Sequence, residues 1–331
     1  MNSPPMIRAS ADAPPVSETV DLRVEFRGRR GQPPVRAVDG VSLAVGQGET
    51  VGLIGESGSG KTTIGRAMIG LVKPSNGSVR FQDRDLWSLS RGERRRVCEN
   101  VQAVFQDPLD ALDPRMTVEA SVAEPLQIVR GGPLRKYRGV VAEVLERVGL
   151  SDRHAKRLPH QLSGGQRQRV NIARALVLDP ILIVCDEAVS ALDVSIQADI
   201  LNLFNDLQAE RGLSYLFISH DLSVVGHVAD RVDVMYLGTV IERGPVEVVL
   251  GHPGHPYTKA LLAAQPELRS ERRGRREVIQ GEMPSPANPP SGCRFRTRCP
   301  FVQPRCQEEV PRLRALGDAH SVACHFAEQL Q

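Results

Sequence analysis

The chain has 331 residues, enough to bury a large core and to carry one big domain with appendages, or two domains. Its 41% hydrophobic and 24% charged content is ordinary for a globular protein, and a net charge of +3 is too weak a field to argue for a nucleic-acid partner. No apolar run approaches the roughly 18 residues a membrane helix needs, which argues against a membrane-spanning chain.

The opening MNSPPMIRASADAPPVSE lacks the apolar core of a signal peptide, so residues 1–19 read as a disordered leader on a cytosolic protein. From about Val20 to Leu250, short apolar runs alternate with helical stretches, the pattern of an α/β domain. TVGLIG, Thr50 to Gly55, is continuously apolar, as a strand buried on both faces should be. GESGSGKT follows it, Gly55 to Thr62, and then the helix-favouring TTIGRAMIGL. The pattern G-x-x-x-x-G-K-[ST] is met at every fixed position, in the strand–loop–helix context that gives it meaning. Gly55, Ser57, Gly58 and Gly60 let the backbone fold into a nest of N–H groups around phosphates, with the positive helix end behind them at Thr62 and Thr63. Lys61 then reaches the β- and γ-phosphates of ATP, and Thr62 holds Mg²⁺.

Further along, RGERRR (Arg91 to Arg96) reads as a solvated segment, as does RSERRGRRE (Arg269 to Glu277). Asp107 to His160 holds Pro-punctuated helical segments, including GVVAEVLERVGL, and reads as a helical insertion between strands. In LSGGQRQR, Ser163 is a good N-cap, and Gly164 and Gly165 leave backbone N–H groups open at a helix start that suits an anion. ILIVCDE ends in Asp186 and Glu187 at the C-terminal edge of a strand, where open α/β sheets bind ligands. Asp186 is placed to support Mg²⁺ and Glu187 to act as general base on an attacking water. SYLFISH puts His220 at another strand end, within reach of a γ-phosphate. Together these residues describe an ATP hydrolase. After HPGHPYTKALLAAQP, the proline-rich EMPSPANPPSG is an extended connector. Cys293, Cys299, Cys306 and Cys324 close the chain, against only Cys98 and Cys185 before them. No internal repeat is present, so there is one cassette.

LSGGQRQR resembles the signature of ATP-binding cassette (ABC) proteins, and the phosphate loop, Gln106 in VFQDP, the CDE run, the SALD of Ser190 to Asp193 and His220 stand in that family's order. The resemblance implies an ABC cassette over residues 20–250: a RecA-like mixed-sheet core with an antiparallel β subdomain and a helical subdomain near 107–160. It also implies that Ser163, Gly164, Gly165 and Gln166 bind the γ-phosphate of ATP held by an opposite subunit. Gln106 then touches Mg²⁺ and the attacking water, Asp193 communicates across the dimer, and Phe26 stacks on adenine. Ala188 stands where many relatives have proline, so one restraint on the loop carrying Glu187 is absent. No long coiled coil interrupts the motifs, against a chromosome ATPase, and the single cassette argues against a ribosome-acting protein.

Longer stretches, among them VFQDPLDALDPRMTVEASVAEPL, SALDVSIQADILNLFNDLQ and HPYTKALL, resemble oligopeptide/dipeptide importer ATPases, closer to the second ATPase of such pairs. That resemblance implies a second ATPase subunit, two membrane permease subunits, an extracytoplasmic substrate-binding protein, and a place on the cytoplasmic face of the inner membrane. Peptide is the expected cargo, with nickel or oligosaccharide as alternatives; a cytosolic ATPase outside transport is the rival class. Residues 251–331 form the extension of this subfamily, whose four cysteines bind a [4Fe–4S] cluster in some members. From the residues alone the spacing C-x5-C-x6-C-x17-C leaves three readings: an iron–sulfur cluster, a structural Zn²⁺, or reduced buried thiols; His325, beside Cys324, is a substitute ligand candidate.

Overall fold

The computed structural model describes residues 14–28, 33–107, 111–264, 281–317 and 319–330. In chain order its strands are β1 (Ser17–Phe26), β2 (Val35–Val45), β3 (Thr50–Ile54), β4 (Asn76–Phe81), β5 (Arg84–Asp85) and β6 (Val101–Val104). There follow β7 (Leu182–Asp186), β8 (Ser214–Ser219), β9 (Arg231–Tyr236), β10 (Thr239–Pro245), β11 (Arg314–Gly317) and β12 (His320–Val322). The continuous apolar runs are the central strands: every residue of β3 and β8 is buried, as are the first four of β7. β1 instead buries only part of its length, in near-alternation, as a strand with one wet face does.

The chain divides into two compact units. One comprises Val45–Glu49 and Phe81–Leu216, with residues 14–17. Here β6 and β7 pair in parallel, Val101 opposite Leu182 and Val104 opposite Cys185. The helical segment expected from the prolines and apolar periodicity is present as Val118–Arg130, Arg138–Arg147 and the short Asp152–Ala155. Thr117 caps the first of these by accepting from Ala120 N, and Gly131, at φ +66°, ends it in a conformation that costs glycine little. The helix Gly164–Leu176 lies against both β6 and the helix Val118–Arg130. Arg174 joins them, donating to Ala111 O and pairing with Glu124. The helix Arg91–Asn100, which contains RGERRR, buries none of its residues, as a solvated segment should.

The other unit comprises Glu18–Ala44, Thr50–Arg80 and Phe217 onward. Its sheet runs in the order β11-β12-β10-β9-β3, and β2, β1 and β4 neighbour one another in a separate sheet. β3 and β9 are parallel, whereas β10 lies antiparallel to both β9 and β12, so the sheet is mixed. The core on this sheet gathers Ile54, Val234, Tyr236, Tyr257, Leu262 and Phe295.

One boundary needs correction. The leader was expected to reach residue 19, but β1 begins at Ser17, and Ser17 and Thr19 are each 1% exposed. Thr19 Oγ1 donates to Val41 O at 3.1 Å and accepts from Leu43 N at 3.0 Å, which ties the segment to β2. Residues 1–13 and the run RSERRGRRE lie outside the described residues.

Candidate functional site

In the unit that holds β3, Ile54 lies beside Val234 of β9, and the Gly55–Thr62 loop leaves the C-terminal end of these parallel strands. Two glycines make the turn possible. Gly55 has φ +149°, and a Cβ there would sit 2.3 Å from Met235 O; Gly60 has φ +106°, and its Cβ would sit 2.2 Å from Ala37 O. No side chain at those positions could be accommodated. Lys61 is only 4% exposed. Its ammonium donates to Gly55 O at 2.7 Å, Glu56 O at 2.8 Å and Ser59 Oγ at 3.4 Å, which offsets the cost of burying a cation. The loop thus wraps around its own lysine. Ser57 and Gly58 form the exposed tip, and Thr62 and Thr63 are half-buried in the first turn of the helix Lys61–Met68. That helix has no side-chain cap at Gly60, so its start offers backbone N–H groups rather than a filled cap. Phe26, 46% exposed, ends β1 in the same unit. His220 is exposed where β8 ends, just before Asp221 caps the helix Leu222–Val228 by accepting from Ser223 N at 2.8 Å.

The other unit brings together the remaining acids and amides. Because Val104 is opposite Cys185 in parallel register, Gln106 and the Asp186–Glu187 pair leave neighbouring strands at the same end. Gln106 is exposed, and both acids are half-buried. Glu187 has φ +51°, a left-handed backbone that strains a non-glycine residue by about 1–3 kcal/mol and persists only where the surroundings enforce it. Those surroundings are visible: Gln168 Nε2 donates to Ala188 O at 2.6 Å, and Ser190 N and Oγ donate to Glu187 O at 3.2 and 3.0 Å. A side-chain donor from the neighbouring helix therefore holds the carbonyl of Ala188, next to Glu187. Asn171 Nδ2, one turn on, donates to Phe105 O at 3.4 Å beside Gln106. Sequence reasoning passes over Gln168 and Asn171. The available signal was their i, i+3 spacing, which sets two buried amides on one helical face.

Ser163 caps the helix Gly164–Leu176 as expected, in a reciprocal pair. Ser163 Oγ accepts from Gln166 N at 3.2 Å, and Gln166 Oε1 accepts from Ser163 N at 3.1 Å. Gly164 is exposed, while Gly165 is buried, and a Cβ on it would lie 2.5 Å from Ile196 Cγ2. Glycine here lets this helix start approach the helix Val194–Arg211. Asp193 caps that second helix, accepting from Ile196 N at 3.0 Å and Ser195 Oγ at 2.9 Å, and those bonds hold its carboxyl below the usual range.

The metal reading of the C-terminal cysteines is corrected. Cys293, Cys299, Cys306 and Cys324 do line one small cavity with Phe295, Phe301 and Phe326. Among the described residues, however, no three His, Cys, Asp or Glu side chains are arranged to hold a metal ion. Neither the [4Fe–4S] cluster nor its Zn²⁺ alternative is supported. Cys306 is buried, and Cys293, Cys299 and Cys324 are partly buried. Burial pushes Cys293 and Cys299 up to about 11 and raises Cys324, so they stay protonated and apolar, and Cys293 and Cys299 pack against the Tyr236–Tyr257–Phe295 cluster. All six cysteines are free. Cys185 is fully buried, its thiol raised by burial and by the charge of Asp186.

Among the described residues no helix is long and apolar enough to cross a membrane. The sequence pattern of the ABC transporter family matches residues 38–190, and that of the oligopeptide/dipeptide transporter C-terminal region matches residues 241–306. The oligopeptide transport ATP-binding protein AppF of Bacillus subtilis is 51% identical over 295 residues, covering 88% of this chain and 90% of that protein. OppF of Salmonella typhimurium, with the same description, is 49% identical over 317 residues, covering 93% of this chain and 95% of that protein. Among solved structures, cbiO1 of Clostridium perfringens, part of an ABC transporter complex, superposes with a TM-score of 0.64 at 28% identity, over 72% of this chain and 92% of its own. The ABC cassette MJ0796, dimeric and bound to ADP and Pi after hydrolysis, gives 0.63 at 30% identity, over 70% of this chain and 98% of its own. A phosphate loop folded round a buried lysine, acids and an amide at one end of β6 and β7, and near-full-length relatives agree on one conclusion: the chain belongs to the oligopeptide-transport ATP-binding proteins of the ABC family and is an ATPase.

Proposed function

We propose that this ATPase drives import of di- and oligopeptides from the cytoplasmic face of the inner membrane. On this reading it works with a second ATPase subunit, beneath two permease subunits fed by an extracytoplasmic substrate-binding protein. The carrying observation is that relatives named for oligopeptide transport align with nearly the whole chain, C-terminal region included. The cassette runs from β1, which begins at Ser17, to about residue 250, with its helical insertion near 107–160, and the extension takes residues 251–331.

Each residue then has a task. Phe26, an exposed ring, stacks on adenine. Gly55, Ser57, Gly58, Gly60, Thr62 and Thr63 surround the phosphates with N–H and hydroxyl donors, and Lys61 exchanges the loop's own carbonyls for phosphate oxygens. The Thr62 hydroxyl, Gln106 amide oxygen and Asp186 carboxylate are hard oxygen donors that would hold Mg²⁺, which would neutralise phosphate charge. Glu187 accepts a proton from the attacking water, Gln106 orients that water, and His220 donates to the γ-phosphate. Ser163, Gly164, Gly165 and Gln166 complete the opposite subunit's site, and Asp193 relays the state of one site to the other. ATP binding closes the pair and phosphate release reopens it.

Uptake measurements in a strain lacking this chain test the assignment. Loss of labelled di- and oligopeptide uptake, restored by the wild-type chain, is expected. Intact peptide uptake with loss of nickel or oligosaccharide uptake would reassign the cargo.

A further inference from the structure

The phosphate loop is also gripped from outside, by the C-terminal segment of the same compact unit. Glu56 sits between Gly55 and Ser57 at a variable position of the loop pattern. Both of its carboxylate oxygens accept from Arg298 Nη1, at 3.2 and 3.0 Å. The Arg298 side chain is 7% exposed and its guanidinium lies 5.9 Å from the Tyr236 ring centre, so solvent screens this pair little. Glu56 N donates to Tyr257 Oη at 2.8 Å. Tyr257 is one of three rings packed together, 4.8 Å from Tyr236 and 5.5 Å from Phe295, and Phe295 precedes Arg298 by three residues.

A second grip reaches the other side of the loop. Gly238 N donates to Ser59 O at 2.8 Å. The turn before it is held by Arg294, which donates to Leu237 O and pairs with Asp39. Leu237 itself has φ +44°, a backbone that relaxes unless something fixes it. Arg294 and Arg298 come from the one run CRFRTRCP, and nothing in the pattern distinguishes them from its third arginine, Arg296.

We infer that Arg298, through Glu56, and Arg294, through the Leu237–Gly238 turn, are positioning residues: the C-terminal segment holds the phosphate loop in its nucleotide-ready form. This rests on reading Gly55–Thr62 as the phosphate site. The consequence is specific. A loop that must be ordered at the moment of binding weakens affinity by the fraction of time it is ready, whereas turnover once nucleotide has ordered it is little changed. Nucleotide affinity and KM should therefore respond, and kcat at saturation should not.

The test uses the full-length chain in Arg298→Met, Arg298→Lys, Glu56→Gln and the Glu56→Gln/Arg298→Met double variant, read by ADP and ATP binding, KM, kcat and melting temperature. Arg298→Met and Glu56→Gln are each expected to weaken nucleotide binding about tenfold, the scale of one buried charge-assisted bond, with kcat within about twofold. The double variant should lose no more than the worse single variant, since both remove one interaction. Arg298→Lys should recover part of the loss. Arg305→Met, which breaks an exposed pair with Glu309 in the same segment, should leave binding unchanged. Should Arg298→Met fail to fold, the near-isosteric Glu56→Gln still decides. Unchanged affinity in both single variants, or additive losses in the double, would overturn the inference while Lys61→Ala still weakened binding. A Lys61→Ala chain with full affinity would instead mean that the phosphate-site reading itself had failed.

Discussion

Two helix starts in this chain are finished in opposite ways. The helix Lys61–Met68 has no side-chain cap, and the loop before it is closed around a buried ammonium and braced from behind. The helix Gly164–Leu176 answers its own end groups, Ser163 and Gln166 exchanging bonds in a closed ring. The first start carries no side-chain cap, whereas in the second the Gln166 N–H is already answered by Ser163 Oγ. On the proposed reading, nucleotide joins the phosphate loop first, the signature end engages only when a phosphate offers more than its internal cap, and hydrolysis is tied to assembly of both halves.

The contrast can be broken at several points. The largest effect should come from Glu187→Gln, which leaves both helix starts intact and removes only the base. Turnover should fall at least about 100-fold while nucleotide affinity persists, measured as steady-state hydrolysis against equilibrium binding. Unaltered turnover would remove Glu187 from the chemistry. Lys61→Ala empties the centre of the first start and should weaken ATP binding by roughly tenfold to a hundredfold, with Glu187→Gln as the binding-competent comparison.

Acid should disturb the braced start selectively. His255 is buried and lowered to about 3, and its Nδ1 accepts from Tyr257 N at 3.0 Å. Its folded pKa lies below the ordinary 6.5, so its contribution is full above that value and is lost progressively as pH falls toward 3. Near pH 5 the loss should be about 2 kcal/mol, visible as a falling melting temperature whose slope flattens in His255→Gln. An unchanged slope in that variant would point to another titrating group. The smallest effect belongs to Ser163→Ala, which opens the self-satisfied cap. About 1 kcal/mol of stability should disappear, with nucleotide affinity of the isolated chain unaffected. An affinity loss there would mean the two starts are not energetically distinct.

What could be read in advance divides along the same physical line. The phosphate loop is legible because its geometry is local: glycines at Gly55 and Gly60 dictate a backbone that nothing else can adopt. Ser163 is legible for the same reason, since a cap and its partner lie three residues apart. The strands β3, β7 and β8 announce themselves as apolar runs. Gln106, by contrast, is found only through the family resemblance, since it leaves β6 at the end where Asp186 leaves β7 through a register between residues some eighty positions apart. Gln168 and Arg298 are equally silent, being polar residues whose meaning depends on what folds against them. The cysteines misled for a related reason. Spacing along the chain does not say whether thiols meet a metal or pack against rings, and here burial with Phe295 favours the protonated, packed state.

The same C-terminal segment also finishes the sheet. β10 is paired on one side by β9 and on the other by β12, with Glu242 opposite Val322 and Arg243 opposite Ser321. The outermost strand, β11, is four residues long, carries a register shift between Ala315 and Gly317, and presents Arg314 paired with Glu328. Short, irregular and charged, it is a poor template for another chain's strand. A chain shortened before Arg314 would bare the full seven-residue edge of β10, and with it a ready site for strand-to-strand aggregation. Residues that belong to no catalytic motif thus protect the sheet's solubility.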